Sequence, residues 1–305
     1  MSKSLFNRYN YGYVLKSIKK NPLLIPVKSS LDQKTILISG GTRGIGLSIG
    51  KSLASKGANI ILLGKTQDPH PKLENTIYSA ANQLQAEFPS CYVQGIACDI
   101  RKEEDIKQCF EQIASQFGNI DGAVLNASAL CLAPTLNQTK KEIDLMSQVN
   151  INGTFLMAQK CLEQIKSSKH GHLLTISPPL EMINNDDWWI NHLYYSMSKF
   201  NMSLMAKYWA KEFPSIGVNT LWPRTTINTA PVRNILGGEE MINISRKSEI
   251  MGDAAAAIFL SDPEKCTGQN FIDDEVLVSL NKDVEKYRVN PDIKETELMP
   301  DFFVN

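Results

Sequence analysis

The sequence predicts an α/β domain built on a doubly wound parallel sheet of about seven strands. Three observations lead there. From residue 32 onward, short runs rich in β-branched residues alternate with amphipathic helical stretches, the pattern of a parallel sheet covered on both faces. A glycine-rich turn, Gly40 to Gly46, separates the first such run from the first helical stretch. No internal repeat or low-complexity tract breaks this order across the 305 residues, so one sheet is the economical solution.

The elements follow in turn. The run TILIS predicts a first strand over 35–39, and Ile45, Ile49 and Leu53 recur every four residues in a helix over 44–56. A second strand is expected over 59–63. Pro69 and Pro71 then interrupt the chain before a helix reaching about residue 88. Strands are expected over 92–97, 122–126, 171–177 and 217–222, with helices over 103–117, 140–162 and 195–213 between them. A seventh strand is expected over 270–273.

Residues 1–31 stand apart as a basic extension to a domain spanning 32–305. The extension carries Lys3, Arg8, Lys16, Lys19, Lys20 and Lys28 and has no acid before Asp32. It reads as a partly ordered extension with no targeting role, or as a transit segment, a membrane-surface arm, or an extension packed on a neighbour. It lacks the apolar centre of a secretory signal. The expected compartment is the cytoplasm, or an organelle matrix if the arm is a transit segment.

Composition narrows the function classes. Lys+Arg 32 against Asp+Glu 32 leaves no net charge with which to attract nucleic acid. No apolar run is long enough to cross a bilayer, so no integral membrane segment is expected. The six cysteines have no C-x-x-C spacing and read as core thiols in a reducing compartment. None of the four histidines has metal-ligand spacing, and His170-Gly-His172 reads as the approach to a strand.

Chemistry is concentrated in two places. Tyr195 and Lys199 are four residues apart and share one face of a helix turn, where the ammonium can bias the phenol toward ionisation. The glycine turn offers a dinucleotide site: Gly40 permits the tight turn, and Gly44 and Gly46 allow close approach of the pyrophosphate and the strand to the helix. Its spacing is G-x-x-x-G-x-G. The strand over 59–63 ends at Leu63-Gly64-Lys65 with no acid to hold a ribose 2′-hydroxyl, and Arg43 lies inside the glycine turn. Two cations near a 2′-phosphate favour NADP over NAD, since a charge pair at 4 Å is worth about 4 kcal/mol at intermediate dielectric and less when screened. The other reading leaves Arg43 and Lys65 as solvated surface charges. Asp99 is suited to accept a hydrogen bond from an adenine amino group, or alternatively to cap the helix that follows.

The glycine turn, Asn126-Ala-Ser128, Val149-Asn150, Tyr195-x-x-x-Lys199 and Trp222-Pro223 occur in the order seen in short-chain dehydrogenases/reductases, which the chain resembles. The nearer likeness is to the hydroxysteroid dehydrogenase-like protein 2 group, through Lys65-Thr-Gln-Asp-Pro-His-Pro-Lys-Leu73, Ile176-Ser-Pro-Pro179, Leu221-Trp-Pro-Arg224 and Pro300-Asp-Phe-Phe303. Some of that group carry a further sterol-carrier-like domain, for which this chain is expected to have no room.

The resemblance implies a Rossmann-like fold and an oxidoreductase acting on CH–OH groups. Tyr195 would be its general acid/base, and Lys199 would lower the phenol's pKa and hold the nicotinamide ribose. Asn150 would keep its helix locally open and hold a water linking Lys199 to solvent. The candidate cofactor contacts are Gly40, Thr42, Arg43, Gly44, Ile45, Gly46, Lys65, Asp99, Asn126, Lys199 and Pro223. The implied substrate is an apolar small molecule. Trp188, Trp189, Met182 and Ile183 would wall its pocket or simply pack, and residues 225–246 would form a lid in which Thr225, Thr226 and Thr229 reach the carboxamide. A homodimer or homotetramer is expected through the helices over 140–162 and 195–213.

Two departures from the family pattern bear on chemistry. The usual Asn-Asn-Ala-Gly reads Leu125-Asn126-Ala127-Ser128, which removes an amide that braces the sheet. The usual Ser-Ser pair reads Ser177-Pro178, and proline offers neither hydroxyl nor N–H. Ser177 either swings into the carbonyl-polarising role or satisfies a backbone group. Loss of one oxyanion donor costs on the order of 10²–10³ in rate. A catalytically weak nucleotide-binding sensor or scaffold is therefore the competing function.

Overall fold

The computed structural model describes residue 24 and residues 26–71, 74–184 and 188–304. Seven strands form one parallel sheet: β1 (Thr35–Ser39), β2 (Asn59–Gly64), β3 (Val93–Ala97), β4 (Gly122–Leu125), β5 (His172–Ile176), β6 (Gly217–Trp222) and β7 (Asn270–Ile272). Their order is β3-β2-β1-β4-β5-β6-β7. Strand order reverses between β1 and β4, and the crevice beyond their C-terminal ends is where such sheets bind ligands.

The two-residue period of the strands divides the core. Ile36, Ile38, Ile60 and Leu62 face one side of the sheet, while Leu37, Ile61 and Leu63 face the other. The first side is covered by α1 (Gly44–Ala54), α2 (Ile77–Glu87) and α8 (Glu249–Phe259). The second is covered by α3 (Glu103–Phe117), α5 (Thr154–Ile165) and α6 (Leu193–Glu212). Both faces being buried explains why these strands read as nearly continuous apolar runs. Shorter helices complete the fold: α4 (Lys140–Met146), α7 (Gly238–Asn243) and α9 (Asp273–Ser279).

Local chemistry fixes the helix starts. Thr76 and Ser79 form a capping box at α2, as Thr139 and Glu142 do at α4. Gly252 lets α8 lie close on α1, because a β-carbon there would come within 2.5 Å of Ser48 O and Ser52 Oγ. Ser48 Oγ to Ser248 Oγ (2.6 Å) and Ser52 Oγ to Asp253 Oδ1 (3.0 Å) fasten the same contact.

Three expectations change. The helix expected over 140–162 is interrupted by a π-helical turn, Ser147–Gly153, between α4 and α5. The last strand stops at Ile272, because Asp273 opens α9. Helix α8 was not anticipated, since its run Ala254–Ala257 is buried and gives no amphipathic period. Leu24 and Leu31, which precede Asp32, are buried in the core, and Val27 and Lys28 donate their N–H groups to Leu260 O at 3.0 and 3.2 Å. Residues 1–23 and 25 of the basic extension lie outside the described residues.

Candidate active site

At the crevice between β1 and β4 the chain turns sharply. Gly40 and Gly44 have φ of +68° and +55°, the left-handed region that glycine occupies without strain. A β-carbon on Gly46 would collide with Gly40 O and come within 2.6 Å of Asn126 Nδ2. Asn126 Nδ2 itself donates to Ser39 O and Gly40 O, both at 3.1 Å, and Ser39 Oγ accepts from Asn126 N and Ala127 N, both at 3.1 Å. Ser39 thus supplies bracing that the sequence reading assigned to the residue replaced by Leu125, and only its place at the end of β1 could have signalled this.

The first turn of α1 has no side-chain cap and no acid. Its N–H groups and positive dipole end therefore face the crevice unopposed, an arrangement suited to a phosphate. Thr42 is buried against Gly64, Ile45 packs on the core, and Thr229 overhangs Gly44. Arg43 Nε is buried with no partner among the described residues. An uncapped helix end, a glycine cradle and an unsatisfied cationic N–H together fit a dinucleotide.

The charged groups beside the glycine turn are distributed unevenly. Arg43 donates from Nη2 to Asn75 O at 2.8 Å; burial lowers its pKa and Glu74 opposes that. Lys65 is exposed at the end of β2. Arg101 grips the Asp99 carboxylate, its Nε lying 2.8 and 3.0 Å from the two oxygens. Those hydrogen bonds, aided by the charge of Lys65, hold the Asp99 carboxyl below its ordinary range. The capping alternative for Asp99 is overturned: Lys102 precedes α3 and no side chain caps it.

Helix α6 carries Tyr195 and Lys199 one turn apart, both buried. Lys199 Nζ donates to Ile176 O at 2.7 Å and lies 5.1 Å over the Trp222 ring. Burial pushes its ammonium down to about 7, against the charge of Asp301. The Tyr195 phenol moves the opposite way from expectation. Burial raises its pKa and the charge of Asp301 raises it further. A carbonyl, not the phenol, takes the Lys199 ammonium.

Asn150 sits in the π-helical turn, fully buried. Its Oδ1 accepts from Ala129 N (2.7 Å), and its Nδ2 donates to Ala129 O and Ser198 Oγ (both 2.9 Å). Ser198 Oγ in turn donates to Tyr195 O at 2.8 Å. The turn is therefore bolted both to the loop after β4 and to helix α6. Ser177 is fully buried and its Oγ has no partner among the described residues, which overturns the alternative that it satisfies a backbone group. Pro178 O accepts instead from Ser203 Oγ at 2.6 Å.

An aromatic wall adjoins Tyr195. Trp189 stacks on Phe200 at 5.2 Å, and Trp188 meets Phe302 edge-on at 5.0 Å. The Tyr195 ring lies 6.0 Å from Phe302 and 6.4 Å from Phe303. This pair was missed as part of the site; its sequence signal was an apolar dipeptide after Pro300. It arrives on a strap zipped to the residues after Pro223: Thr226 N donates to Met299 O (2.8 Å), Asp301 N to Arg224 O (2.9 Å) and Trp222 Nε1 to Phe302 O (2.8 Å). Arg224 is spent on Asp274 (2.8 Å), and Thr226 Oγ1 on Ser245 Oγ (2.7 Å). Thr229 is the threonine over the glycine turn.

Two histidines play structural parts. His170 and His172 lie within hydrogen-bond reach of Phe259 O (2.8 Å) and Ser261 O (3.2 Å). Among the described residues no group of three or more metal-ligating side chains occurs, and no helix is long and apolar enough to cross a membrane. All six cysteines are free, five of them buried.

Comparison with known proteins agrees with this geometry. Residues 34–235 match the family described as short chain dehydrogenase. The chain is 43% identical over 276 residues to hydroxysteroid dehydrogenase-like protein 2 of Danio rerio, covering 89% of this chain and 64% of that protein. It is 39% identical to the Homo sapiens protein of the same name, covering 92% and 66%. The chain thus spans a little under two thirds of the length of these relatives. A crystal structure of a short chain dehydrogenase from Mycobacterium thermoresistibile superposes with a TM-score of 0.81 at 38% identity, covering 90% of this chain and 96% of that one. With its seven-stranded parallel sheet, its glycine turn and Tyr195 and Lys199 on one helix, the chain belongs to the short-chain dehydrogenase family and is similar to hydroxysteroid dehydrogenase-like protein 2.

Proposed function

We propose that the chain is an NADP-dependent oxidoreductase that interconverts a carbonyl and a secondary alcohol on an apolar small molecule, with Tyr195 as general acid/base. The observation that carries this reading is the burial of Tyr195 and Lys199 on one helix face, beside a glycine turn fitted to a dinucleotide. Arg43, with its unsatisfied Nε, and exposed Lys65 favour NADP over NAD.

When bound, the dinucleotide donates or accepts a hydride at its nicotinamide. In reduction, Tyr195 gives its proton to the substrate oxygen; in oxidation it takes one back. Lys199, anchored on Ile176 O, offers its remaining N–H groups to the ribose. Asn150 keeps α6 in register with the loop after β4. Ser177 supplies a hydroxyl with no competing partner, and Trp188 and Phe302 exclude water from an apolar substrate.

One pair of observations favours the sensor reading. Ser177 is sealed from solvent, and burial raises the phenol's pKa. NADPH consumption across a panel of ketones and aldehydes separates the two. Turnover of any member supports the enzyme; NADPH binding without turnover of any supports the sensor.

The partner we propose for α6 is a second copy of the chain. Leu193, Met197, Leu204 and Tyr208 are exposed at spacings of four, seven and four, one stripe along the helix, and Phe155 of α5 adds to it beside Trp209. Sedimentation as a monomer at micromolar concentration contradicts this.

A further inference from the structure

The Tyr195 ring is packed against two phenylalanines from a distant part of the chain. Its centroid lies 6.0 Å from that of Phe302 and 6.4 Å from that of Phe303, and those two lie 6.3 Å apart. The three rings form a closed triangle, with every side in the range where aromatic pairs attract. Phe302 meets the phenol edge-on at 68°, whereas Phe303 lies nearly parallel to it at 21°.

Phe303 is the more enclosed of the pair, 1% exposed against 8% for Phe302. Besides Tyr195 it reaches Phe200 edge-on at 5.1 Å, Trp222 at 5.8 Å and Trp188 at 6.4 Å. Phe200 follows Lys199 on α6, and the Lys199 ammonium lies over the Trp222 ring. One buried ring thus touches the phenol of Tyr195 and the platform beneath Lys199.

The backbone is strained at this position. Phe303 has φ of +71°, in the left-handed region. The other non-glycine residues found there among the described residues are Gln33, Asn191 and Asn281. Asparagine enters that region readily because its short amide bonds locally; a bulky aromatic residue stays there only where its surroundings over-determine it. In an extended segment, neighbouring side chains point to opposite faces. The turn at residues 302–303 breaks that alternation, so that both rings reach Tyr195 and Trp188. Three hydrogen bonds fix the backbone from which they project: Asp301 N to Arg224 O (2.9 Å), Phe302 N to Asp301 Oδ1 (2.6 Å) and Trp222 Nε1 to Phe302 O (2.8 Å).

We propose that Phe303 is a positioning residue for Tyr195 and Lys199, its ring turned inward by a strained backbone to fix the plane of the phenol and the seat of the Trp222 indole. The inference takes its catalytic meaning from the proposed reaction and its geometry from the aromatic packing. Phe303 acts through Tyr195, because its own ring is sealed from the substrate side by burial. Proton transfer depends on placement, and a displacement of about 1 Å costs on the order of 10²-fold in rate.

The test compares crystal structures and kinetics of the full chain in the parent, Phe303→Leu and Phe303→Met. Both replacements fill much of the buried volume and bear the same left-handed backbone, so they isolate the loss of the ring. In each, the Tyr195 phenol oxygen is expected to shift by more than about 0.5 Å or to split between two positions. The kcat for NADPH-dependent carbonyl reduction is expected to fall about tenfold or more, with NADPH affinity and substrate KM within about threefold of the parent. A phenol oxygen unmoved in both variants overturns the proposal, as does a loss of activity confined to KM. The crystallographic comparison needs no turnover, so a parent that reduces no carbonyl contradicts the proposed reaction and leaves the placement of Tyr195 by Phe303 to be decided by the phenol oxygen alone.

Discussion

Asn150 and Ser198 meet between two helices, with Asn150 Nδ2 donating to Ser198 Oγ at 2.9 Å. Through that bond the π-helical turn is tied to helix α6. Asn150 also holds both backbone groups of Ala129, so Asn150→Ala leaves three partners without their hydrogen bonds. The expected cost is about 2–4 kcal/mol of stability, read as a lowered Tm, together with a lower kcat at unchanged dinucleotide affinity. A variant as stable as the parent contradicts this role.

Gly46→Ala tests the cradle. Its β-carbon meets Gly40 O and Asn126 Nδ2, atoms held by backbone and by a doubly bonded amide, so relief requires moving the turn itself. Dinucleotide affinity, measured by quenching of protein fluorescence, is expected to fall at least about tenfold, with about 1–3 kcal/mol of stability lost. Unchanged affinity contradicts the placement of the phosphates at this turn.

The strands were legible because burial on both faces selects β-branched runs such as Thr35–Ser39 and Asn59–Gly64. Helix α8 was not, since an alanine run buried all round has no period to read. Tyr195, Lys199 and Gly46 were legible because their chemistry depends on short-range spacing. Phe302 and Phe303 were not, because they reach Tyr195 from more than 100 residues away on a strap held by tertiary hydrogen bonds to residues 222–226. The raised phenol was also invisible in sequence, where a lysine four residues on implies the opposite; burial, with the charge of Asp301 adding, reverses the sign.

Cofactor choice is expected to depend on Arg43. Its replacement by alanine removes one of two cations near the ribose end, and the NADPH-over-NADH affinity ratio falls about tenfold. Lys65→Ala has a smaller effect, because that side chain is solvent-exposed. An unchanged ratio in both variants contradicts NADP preference by this route.

His172 makes the fold sensitive to acid. Burial, with the neighbouring charge of His170 adding, pushes its pKa down to about 3, below the ordinary value of 6.5. Between those values the unfolded chain binds the proton and the folded one does not, so stability falls as pH drops from about 6.5 toward 3. That contribution is on the order of 5 kcal/mol. His172→Phe is expected to flatten the pH dependence of urea midpoints in this window; equal slopes in variant and parent contradict it.

Proton transfer by the Tyr195 hydroxyl beside a bound nicotinamide dinucleotide requires that its removal abolish turnover without loosening the dinucleotide. The most direct measurement compares NADPH-dependent carbonyl reduction in the parent and in Tyr195→Phe, with NADPH affinity measured on the same samples. Turnover is expected to fall by about 10²–10⁴-fold while affinity stays within about threefold. Turnover retained in Tyr195→Phe would contradict the claim.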